Sequence, residues 1–379
     1  MPTVSSLVQL IEQASAKRIL EAAPSEDRGL TEHLPYPFMA LVGQVEMRTA
    51  LLLTMINPAV SGALLIGPRG TGKTTAVRSL GDILPLIPRS RCQYGCLPED
   101  IEAGGIDAVC PDCAKKYGEG QPLTRLERVA LVELPLNARL EDVVGGINEL
   151  AAAHQRTMLQ RGIMARADRN LLYVDEVNLL ADEIVDSILD AAAQGQYTLR
   201  RGPLAASYRA RFALVGSMNP EEGRLRPQIL DRFGLRLIVR GLTDPAERLE
   251  AYRRVRAYLT NPRAMVAAYE EQTLAAHQEI QSARELLPTV KLTAEAETAG
   301  LELVRRMKID SLRAEITLFQ AARAYAAADA RTEAASTDVR AVAPMALRLR
   351  RSPFMEKYFE EQQGEETEIK SVIDAVIPE

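Results

Sequence analysis

The chain has 379 residues, of which 47% are apolar and 26% are charged, a soluble globular profile long enough for two or three domains. Aromatic residues make up 4%, tryptophan is absent and the net charge is −5, which disfavours a base-stacking or basic nucleic-acid surface. No apolar run reaches the roughly 18 residues of a membrane span, and the N-terminus lacks a secretory-signal pattern. We therefore expect a cytoplasmic protein with no nucleic-acid partner and no membrane insertion.

The N-terminal region is predicted to be helical. Residues 4–22 place apolar side chains at helical spacing, so we assign residues 1–34 to a helical extension. The prolines of Pro35-Tyr36-Pro37 make a stiff connection, and Val45 to Met55 predicts a helix that stops before Pro58.

A glycine-rich segment then follows a short apolar run. Gly67 to Thr74 match the phosphate-binding pattern G-x-x-x-x-G-K-[ST], between a predicted strand at Ala63–Ile66 and a helical stretch from Thr75 to Leu80. A chance glycine turn is the alternative, but both flanks agree with the motif. We expect backbone N–H groups to cradle the phosphates of ATP, Lys73 to reach the β- and γ-phosphates, and Thr74 to bind Mg²⁺. The predicted binding residues are Gly67, Pro68, Arg69, Gly70, Thr71, Gly72, Lys73, Thr74 and Thr75.

All four cysteines lie in one glycine-rich stretch, residues 91–120, which we call the cysteine-rich insertion. They form C-x₃-C and C-x₂-C pairs, and we call Cys92, Cys96, Cys110 and Cys113 the cysteine cluster. Two close thiolate pairs suit a tetrahedral structural Zn²⁺, and four cysteines also suit an iron–sulfur cluster. A dithiol redox switch and four unliganded cysteines remain alternatives.

Two acidic residues follow another apolar strand. Leu171–Val174 leads into Asp175, which is placed to hold Mg²⁺, and Glu176, which is placed to deprotonate the attacking water. An ordinary acidic turn is the alternative, but the position about 100 residues after a phosphate loop favours a nucleotide site.

Further strands bring two more polar residues. A hairpin is predicted at 196–212, from Gln196–Arg200 and Ala206–Phe212 on either side of Gly202-Pro203. Ala213–Val215 then leads to Asn219, placed to touch the γ-phosphate or the lytic water; a turn-forming Asn is the alternative. Arg232 is a candidate for stabilising the charge that develops on phosphate, although in isolation it would be taken for a surface ion-pairing residue.

The alternation of strands and helices predicts an α/β fold with a largely parallel sheet over residues 35–244, with further strands at Ala130–Glu133 and Leu235–Val239. From Pro245 the pattern becomes wholly helical, broken at Asn261-Pro262, so residues 245–350 are assigned to a helical C-terminal domain. Residues 351–379 are predicted to be an acidic tail.

Together these motifs resemble the AAA+ ATPases and, more narrowly, the ATPase motor subunit, subunit I, of magnesium chelatase. The resemblance runs collinearly over roughly residues 35–350. The motifs most specific to this family are Val174-Asp-Glu-Val-Asn-Leu-Leu180 and Asn219-Pro-Glu-Glu-Gly223, with Leu230-Asp-Arg-Phe-Gly234. Tyr36-Pro37-Phe38 with Val42-Gly43-Gln44 also match, and Val42 and Gly43 are accordingly expected to contact the nucleotide.

The resemblance implies a role for each matching residue. Asp175 and Glu176 are the expected magnesium ligand and catalytic base, and Asn219 is the first sensor. Arg232 matches the finger that reaches the nucleotide of a neighbouring subunit, and Arg313 matches the second sensor on the helical domain. The hairpin at 196–212 and residues 141–165 match two insertions of this clade, which are expected to transmit force.

The resemblance also implies partners: a homo-oligomeric ring, expected to be a hexamer, a D-type subunit with an integrin domain, and a porphyrin-binding H-type subunit. The three histidines are scattered, so metal insertion is expected on a partner. The implied function is ATP-driven insertion of Mg²⁺ into protoporphyrin IX in chlorophyll or bacteriochlorophyll synthesis. The alternatives are a related motor for another metal chelatase, a MoxR-like maturation chaperone, and a nucleotide-gated scaffold that hydrolyses little ATP.

Overall fold

The computed structural model describes residues 34–147, 159–202, 204–223 and 225–351. The predicted N-terminal extension and acidic tail lie outside these ranges, except for Leu34 and Arg351. No helix of the described residues has both the length and the apolar composition of a membrane span.

The strands are β1 Ala63–Ile66, β2 Leu86–Ser90, β3 Thr124–Arg128, β4 Leu131–Leu134, β5 Gly145–Ile147, β6 Leu159–Arg161, β7 Leu171–Val174, β8 Gln196–Arg201, β9 Leu204–Arg209, β10 Ala213–Met218, β11 Leu235–Ile238, β12 Lys291–Leu292 and β13 Glu333–Ala334.

The α-helices are α1 Val45–Ile56, α2 Lys73–Arg78, α3 Pro98–Gly104, α4 Pro111–Gly118, α5 Leu140–Val144, α6 Ile163–Arg166, α7 Asp182–Gln194, α8 Pro227–Arg232, α9 Pro245–Thr260, α10 Pro262–Ala268, α11 Glu270–Leu286, α12 Ala294–Arg306, α13 Arg313–Ala328 and α14 Ser336–Leu347.

The central sheet has five strands in the order β11-β1-β10-β7-β4, and every neighbouring pair is parallel. This confirms the predicted α/β fold. Short, almost wholly apolar strands such as Ala63–Ile66 are typical of parallel sheets covered on both faces, because each side chain is buried whichever way it points.

Alternate residues of the central strands enter two separate cores. Ala63 and Leu65 of β1 join the core that contains α1 and the C-terminal helices, whereas Leu64 and Ile66 join the core that contains α7. This follows from the two-residue period of a strand. The helices after Pro245 therefore share a core with one face of the sheet.

The start of the helical region agrees with its sequence signals. The Asp244 side chain accepts hydrogen bonds from the backbone N–H groups of Ala246 and Glu247, and Pro245 occupies the first helical position. The predicted break at Asn261 is present, and Asn261 caps the next helix. A further break at Tyr269 separates α10 from α11.

Several predicted boundaries were wrong. The strand at Ala213 does not stop before Gly216 but continues to Met218, because Gly216 to Met218 pair with Leu64 to Ile66 of β1. The glycine at 216 makes room for Phe233, since a Cβ there would be 2.9 Å from Phe233 Cζ. The second hairpin strand is Leu204–Arg209, not Ala206–Phe212, since Arg201 pairs directly with Leu204 across the turn. The helical stretch predicted at Thr75–Leu80 is present, as an α-helix from Lys73 to Arg78 that continues as a 3₁₀ helix over Ser79–Asp82.

Three antiparallel strand pairs project from the core. β2 and β3 flank the cysteine-rich insertion, β8 and β9 form the predicted hairpin, and β5 pairs with β6. Sequence analysis did not find β2, β3, β5 or β6, because these strands are short and lack a clean alternation of apolar and polar residues. It also missed the two-residue strands β12 and β13, which pair inside the region that was predicted to be wholly helical.

Gly234 tests the packing between the sheet and the segment before it. A Cβ added there would lie 1.7 Å from the carbonyl oxygen of Val60, so we expect Gly234→Ala to lower the stability by about 1–3 kcal/mol or more. Thermal unfolding measures the loss. Gly81→Ala is the matched control, because nothing lies within 4 Å of its Cβ position; an equal loss in both variants would contradict this account.

Candidate functional site

The glycine-rich loop joins the end of β1 to the start of α2. Gly67 is required by close packing, since a Cβ there would lie 2.0 Å from the carbonyl oxygen of Val239. Lys73 is 9% exposed, and its Nζ donates to the carbonyls of Gly67 at 2.6 Å and Pro68 at 2.8 Å. Burial lowers the pKa of Lys73, while the nearby charges of Asp175 and Glu176 act in the opposite direction.

Three hydroxyl groups surround the carboxylate of Asp175. Thr74 Oγ1 donates to Oδ2 at 3.2 Å, Tyr173 Oη donates to Oδ1 at 2.8 Å, and Ser217 Oγ donates to Oδ1. Tyr173 and Asp175 lie two residues apart on one face of the chain, and Tyr173 Oη also lies 3.2 Å from Thr74 Oγ1. Residues from the loop, β7 and β10 thereby converge on one carboxylate.

Glu176 lies at the mouth of the site in a left-handed backbone conformation, with φ 48°. Its backbone N–H donates to Ser217 Oγ at 3.1 Å, which fixes the turn. Arg69 of the loop pairs with Glu222 and lies 3.7 Å from a carboxylate oxygen of Glu176. The side chain of Arg69 is 72% exposed, so these ion pairs are weak and exchangeable.

Asn219 follows β10 and is 4% exposed. Its Oδ1 accepts the backbone N–H of Glu221 at 3.3 Å, and its carbonyl accepts from Asn178 Nδ2 at 3.3 Å. The side chain of Asn219 therefore stabilises a turn, as the alternative interpretation predicted. Asn219 also lines the cavity described next.

One cavity of about 200 Å³ brings these groups together. Gly67 and Pro68 lie next to this cavity, because their carbonyl oxygens accept hydrogen bonds from Lys73 Nζ. Its lining consists of Arg69, Gly70, Thr71, Gly72, Lys73, Thr74, Thr75, Asp175, Glu176, Ser217, Met218 and Asn219.

Val42 and Gly43, which were predicted to contact the nucleotide, are not among the residues that line this cavity. They lie beside the start of the helical region: a Cβ at Gly43 would be 2.7 Å from Leu242 Cδ2 and 3.3 Å from a carboxylate oxygen of Glu247. Their role in binding stays a prediction.

The two predicted arginines also lie outside the cavity of their own chain. Arg232, at the end of α8, pairs with Asp190 at 2.8 Å and with Asp186 at 3.5 Å, both on α7. Arg313 pairs with Asp231 at 3.0 Å. Within their own chain, Arg232 and Arg313 thus form ion pairs with aspartates. Their catalytic roles stay predictions.

Sequence analysis missed Tyr173 and Ser217. The signal was available for Ser217: β10 pairs with β7 so that Val215 lies opposite Tyr173 and Gly216 opposite Val174, which puts Ser217 level with Asp175. The carboxyl ends of parallel strands meet at one edge of the sheet, so polar residues at equivalent positions are neighbours.

The cysteine cluster forms a second site. The four Sγ atoms all lie within 4.8 Å of one another, and Cys96 and Cys113 are buried. A hydrogen bond from the Cys96 thiol lowers the pKa of Cys92 to about 4, and burial raises the pKa of Cys113 to about 12. The C-x₃-C and C-x₂-C pairs therefore come together, and a metal could bind there.

Comparison with known proteins places the chain in a family. The family model for magnesium chelatase subunit ChlI matches residues 146–237, and the model for the AAA lid domain matches residues 301–371. The magnesium-chelatase 38 kDa subunit of Acidiphilium rubrum is 41% identical over 325 residues, which cover 85% of this chain and 93% of the relative. The chain belongs to the magnesium chelatase subunit I family.

Two further members extend the comparison. The ChlI homologue of Methanocaldococcus jannaschii is 41% identical over 84% of this chain and 87% of its own length. A solved magnesium chelatase complex of BchI and BchD contains a chain that is 35% identical, with a TM-score of 0.47, over 86% of this chain and 99% of that chain.

The donor set of the cavity fits the nucleotide and metal expected of a subunit I protein. Carboxylate and hydroxyl oxygens are the ligands that Mg²⁺ prefers, and Asp175 and Thr74 offer one of each at 3.2 Å from one another. The ammonium group of Lys73 and the N–H groups at the start of α2 suit a polyphosphate. Bound Mg²⁺ would neutralise charge that develops on the phosphate oxygens.

Glu176→Gln tests the proposed base. The amide keeps the shape of the side chain but cannot accept a proton from water, so we expect ATP binding to persist and steady-state hydrolysis to fall by about 10²-fold or more. Nucleotide titration and phosphate release measure the two properties. Glu221→Gln, a nearby exposed change outside the cavity lining, is the control and should hydrolyse normally. Undiminished turnover in Glu176→Gln would exclude this glutamate as the base.

Proposed function

We propose that this chain is the ATP-hydrolysing motor of a magnesium chelatase, driving Mg²⁺ insertion into protoporphyrin IX for chlorophyll or bacteriochlorophyll synthesis. The observation that carries the proposal is the Asp175 carboxylate, held by Thr74, Tyr173 and Ser217 beside the phosphate loop of a subunit I family member. Its relatives are named as magnesium-chelatase subunits.

The proposed chemistry is hydrolysis of the terminal phosphate bond. Lys73 and the loop N–H groups hold the phosphates, and Thr74 and Asp175 hold Mg²⁺. Glu176 takes a proton from the attacking water, whose oxygen bonds to the γ-phosphorus as the bond to ADP breaks. Asn219 would orient that water or the γ-phosphate. The products are ADP and inorganic phosphate.

The proposed ring follows from the position of Arg232. Asp186 and Asp190 hold this guanidinium at the end of α8, away from the cavity of its own chain. A phosphate contact by Arg232 would then be made to a neighbouring subunit, in a homo-oligomeric ring that we expect to be a hexamer. Such sharing couples hydrolysis to movement between subunits.

Asp231 would link this movement to the helical region. Its carboxylate accepts from Ser311, Arg313 and Arg350, each at 3.0 Å, and it adjoins Arg232 in the chain. Burial raises the pKa of Asp231, but the hydrogen bonds and neighbouring arginines more than offset this effect and hold it below its ordinary value. We propose that Arg313 reaches the nucleotide from here as the helical region moves.

The proposed assembly includes a D-type subunit with an integrin domain and an H-type subunit that carries the porphyrin. The cysteine cluster completes the proposed cofactor set, as a site for Zn²⁺ or an iron–sulfur cluster besides ATP and Mg²⁺.

A mixing experiment tests the shared site. Arg232→Ala should reduce hydrolysis by about 10³-fold, and Lys73→Ala should abolish it by removing the phosphate contact. In a random 1:1 mixture, about one quarter of the interfaces would join an intact loop to an intact Arg232, so activity should partly return. The control is each variant mixed with itself. No recovery in mixtures that co-assemble would contradict a site shared between subunits.

Reconstitution tests the proposed function itself. With D-type and H-type subunits, protoporphyrin IX, Mg²⁺ and ATP, we expect the fluorescence of magnesium protoporphyrin to appear with this chain and not with Glu176→Gln. A chain that hydrolyses ATP but supports no insertion with any such pair would contradict the chelatase assignment while leaving the ATPase intact.

A further inference from the structure

We propose that the cysteine cluster binds one Zn²⁺ ion, and that this ion holds the cysteine-rich insertion in the conformation that anchors the β8–β9 hairpin to the ATPase core. Zinc content and hairpin protection are measurable whether or not the chain drives a chelatase.

The geometry favours a single metal ion. A tetrahedral Zn²⁺ with Zn–S bonds of about 2.3 Å places its sulfurs about 3.8 Å apart. All four Sγ atoms converge within 4.8 Å, which is close to that spacing. An iron–sulfur cluster interposes several iron and sulfide atoms and so needs a wider set of cysteines. Two separate disulfides would need two close pairs, not four sulfurs around one point.

Backbone groups are already oriented toward the sulfurs. The N–H of Cys96 donates to Cys92 Sγ at 3.4 Å, and the N–H of Cys110 donates to Cys96 Sγ at 3.3 Å. Ser90 Oγ also donates to Cys92 Sγ at 3.4 Å. Such outer contacts stabilise negative sulfur and orient it toward a metal. Four thiolates around one Zn²⁺ would leave a site of charge −2.

The cysteine-rich insertion lacks a core of its own. Its buried apolar residues are Cys96, Leu97 and Cys113, and Leu123 just beyond the insertion packs with the two cysteines. A segment of this length with so little buried apolar surface cannot offset the entropy of ordering its chain. A metal bound by all four cysteines, two of which are buried, supplies the missing constraint, as structural zinc does in other small units.

The insertion contacts the hairpin through residues placed between the cysteines. Tyr94 stacks on Tyr208 of β9 with ring centroids 5.6 Å apart, and Tyr208 stacks on Tyr197 of β8 at 5.7 Å. The carbonyl of Tyr94 accepts the backbone N–H of Arg209 at 3.1 Å. Gly95 is required here, because it has φ +80° and its Cβ position lies 2.9 Å from Arg209 Cβ.

A second set of contacts joins the same insertion to residues at the end of β9 and just after it. Arg211 donates to the carbonyl of Gly95 at 2.7 Å and to Asp100 at 3.2 Å, and it also pairs with Asp168. Arg209 donates to the carbonyl of Ala108 at 3.3 Å. The acceptors at Gly95 and Ala108 flank Cys96 and Cys110, so loss of the metal would displace them directly.

The test combines metal analysis with hydrogen exchange. We expect one zinc per chain, without iron or sulfide. Stripping zinc with a strong chelator should speed exchange across residues 196–209 by about tenfold or more while β7 and β10 stay protected, and restoring Zn²⁺ should reverse the change. Because this uses the wild-type chain, it does not depend on whether Cys113→Ser folds.

Three variants separate the two parts of the proposal. Cys113→Ser should lose zinc and hairpin protection, whereas Tyr94→Ala should keep zinc and lose hairpin protection. Lys115→Ala, an exposed change on the same helix as Cys113, should keep both. Protein purified anaerobically without zinc, protein that holds iron and sulfide, or zinc-stripped protein with unchanged hairpin exchange would each overturn the proposal.

Discussion

The nucleotide site depends on one constraint, which is that β1, β7 and β10 are parallel neighbours whose carboxyl ends meet at the same edge of the sheet. This alignment brings the phosphate loop, Asp175 and Ser217 together from positions more than 140 residues apart in sequence. Three hydroxyls then hold the Asp175 carboxylate in one orientation. A carboxylate fixed in this way would need little reorganisation to bind the proposed Mg²⁺.

Acidic residues also pair with the arginines that lie outside the cavity. Asp186 and Asp190 hold Arg232, while Asp231 gathers Arg313 and Arg350 from the helical region. Most of these pairs are partly exposed, so each contributes little to stability on its own. An arginine can leave such an acidic partner at small cost, as the proposed movement of Arg232 and Arg313 to a phosphate would require.

The cysteine-rich insertion and the β8–β9 hairpin form one continuous projection from the core. Aromatic stacking joins the insertion to the hairpin, and Tyr197 of the hairpin donates to the carbonyl of Val144 beside β5. The projection is therefore built mainly from contacts between inserted segments. The cysteine-rich insertion has almost no apolar core. The rigidity of the projection therefore depends on what stabilises that insertion.

The sequence by itself determined the local chemistry. The spacing of Gly67 to Thr74 specified a phosphate loop, the apolar runs of β1 and β7 specified buried strands, and Asp244-Pro245 specified the first helix of the C-terminal region, because each of these signals acts within a few residues. The parallel fold and the family followed from the order of such signals along the chain.

Only the tertiary structure decided which distant residues meet. Ser217 and Tyr173 join Asp175 through strand register, Asp231 pairs with Arg313 of α13 and with Arg350 beyond α14, and Tyr94 reaches the hairpin across more than 100 residues. Such contacts leave no periodic pattern in the sequence, because they depend on how separate elements pack and not on the conformation of any one of them.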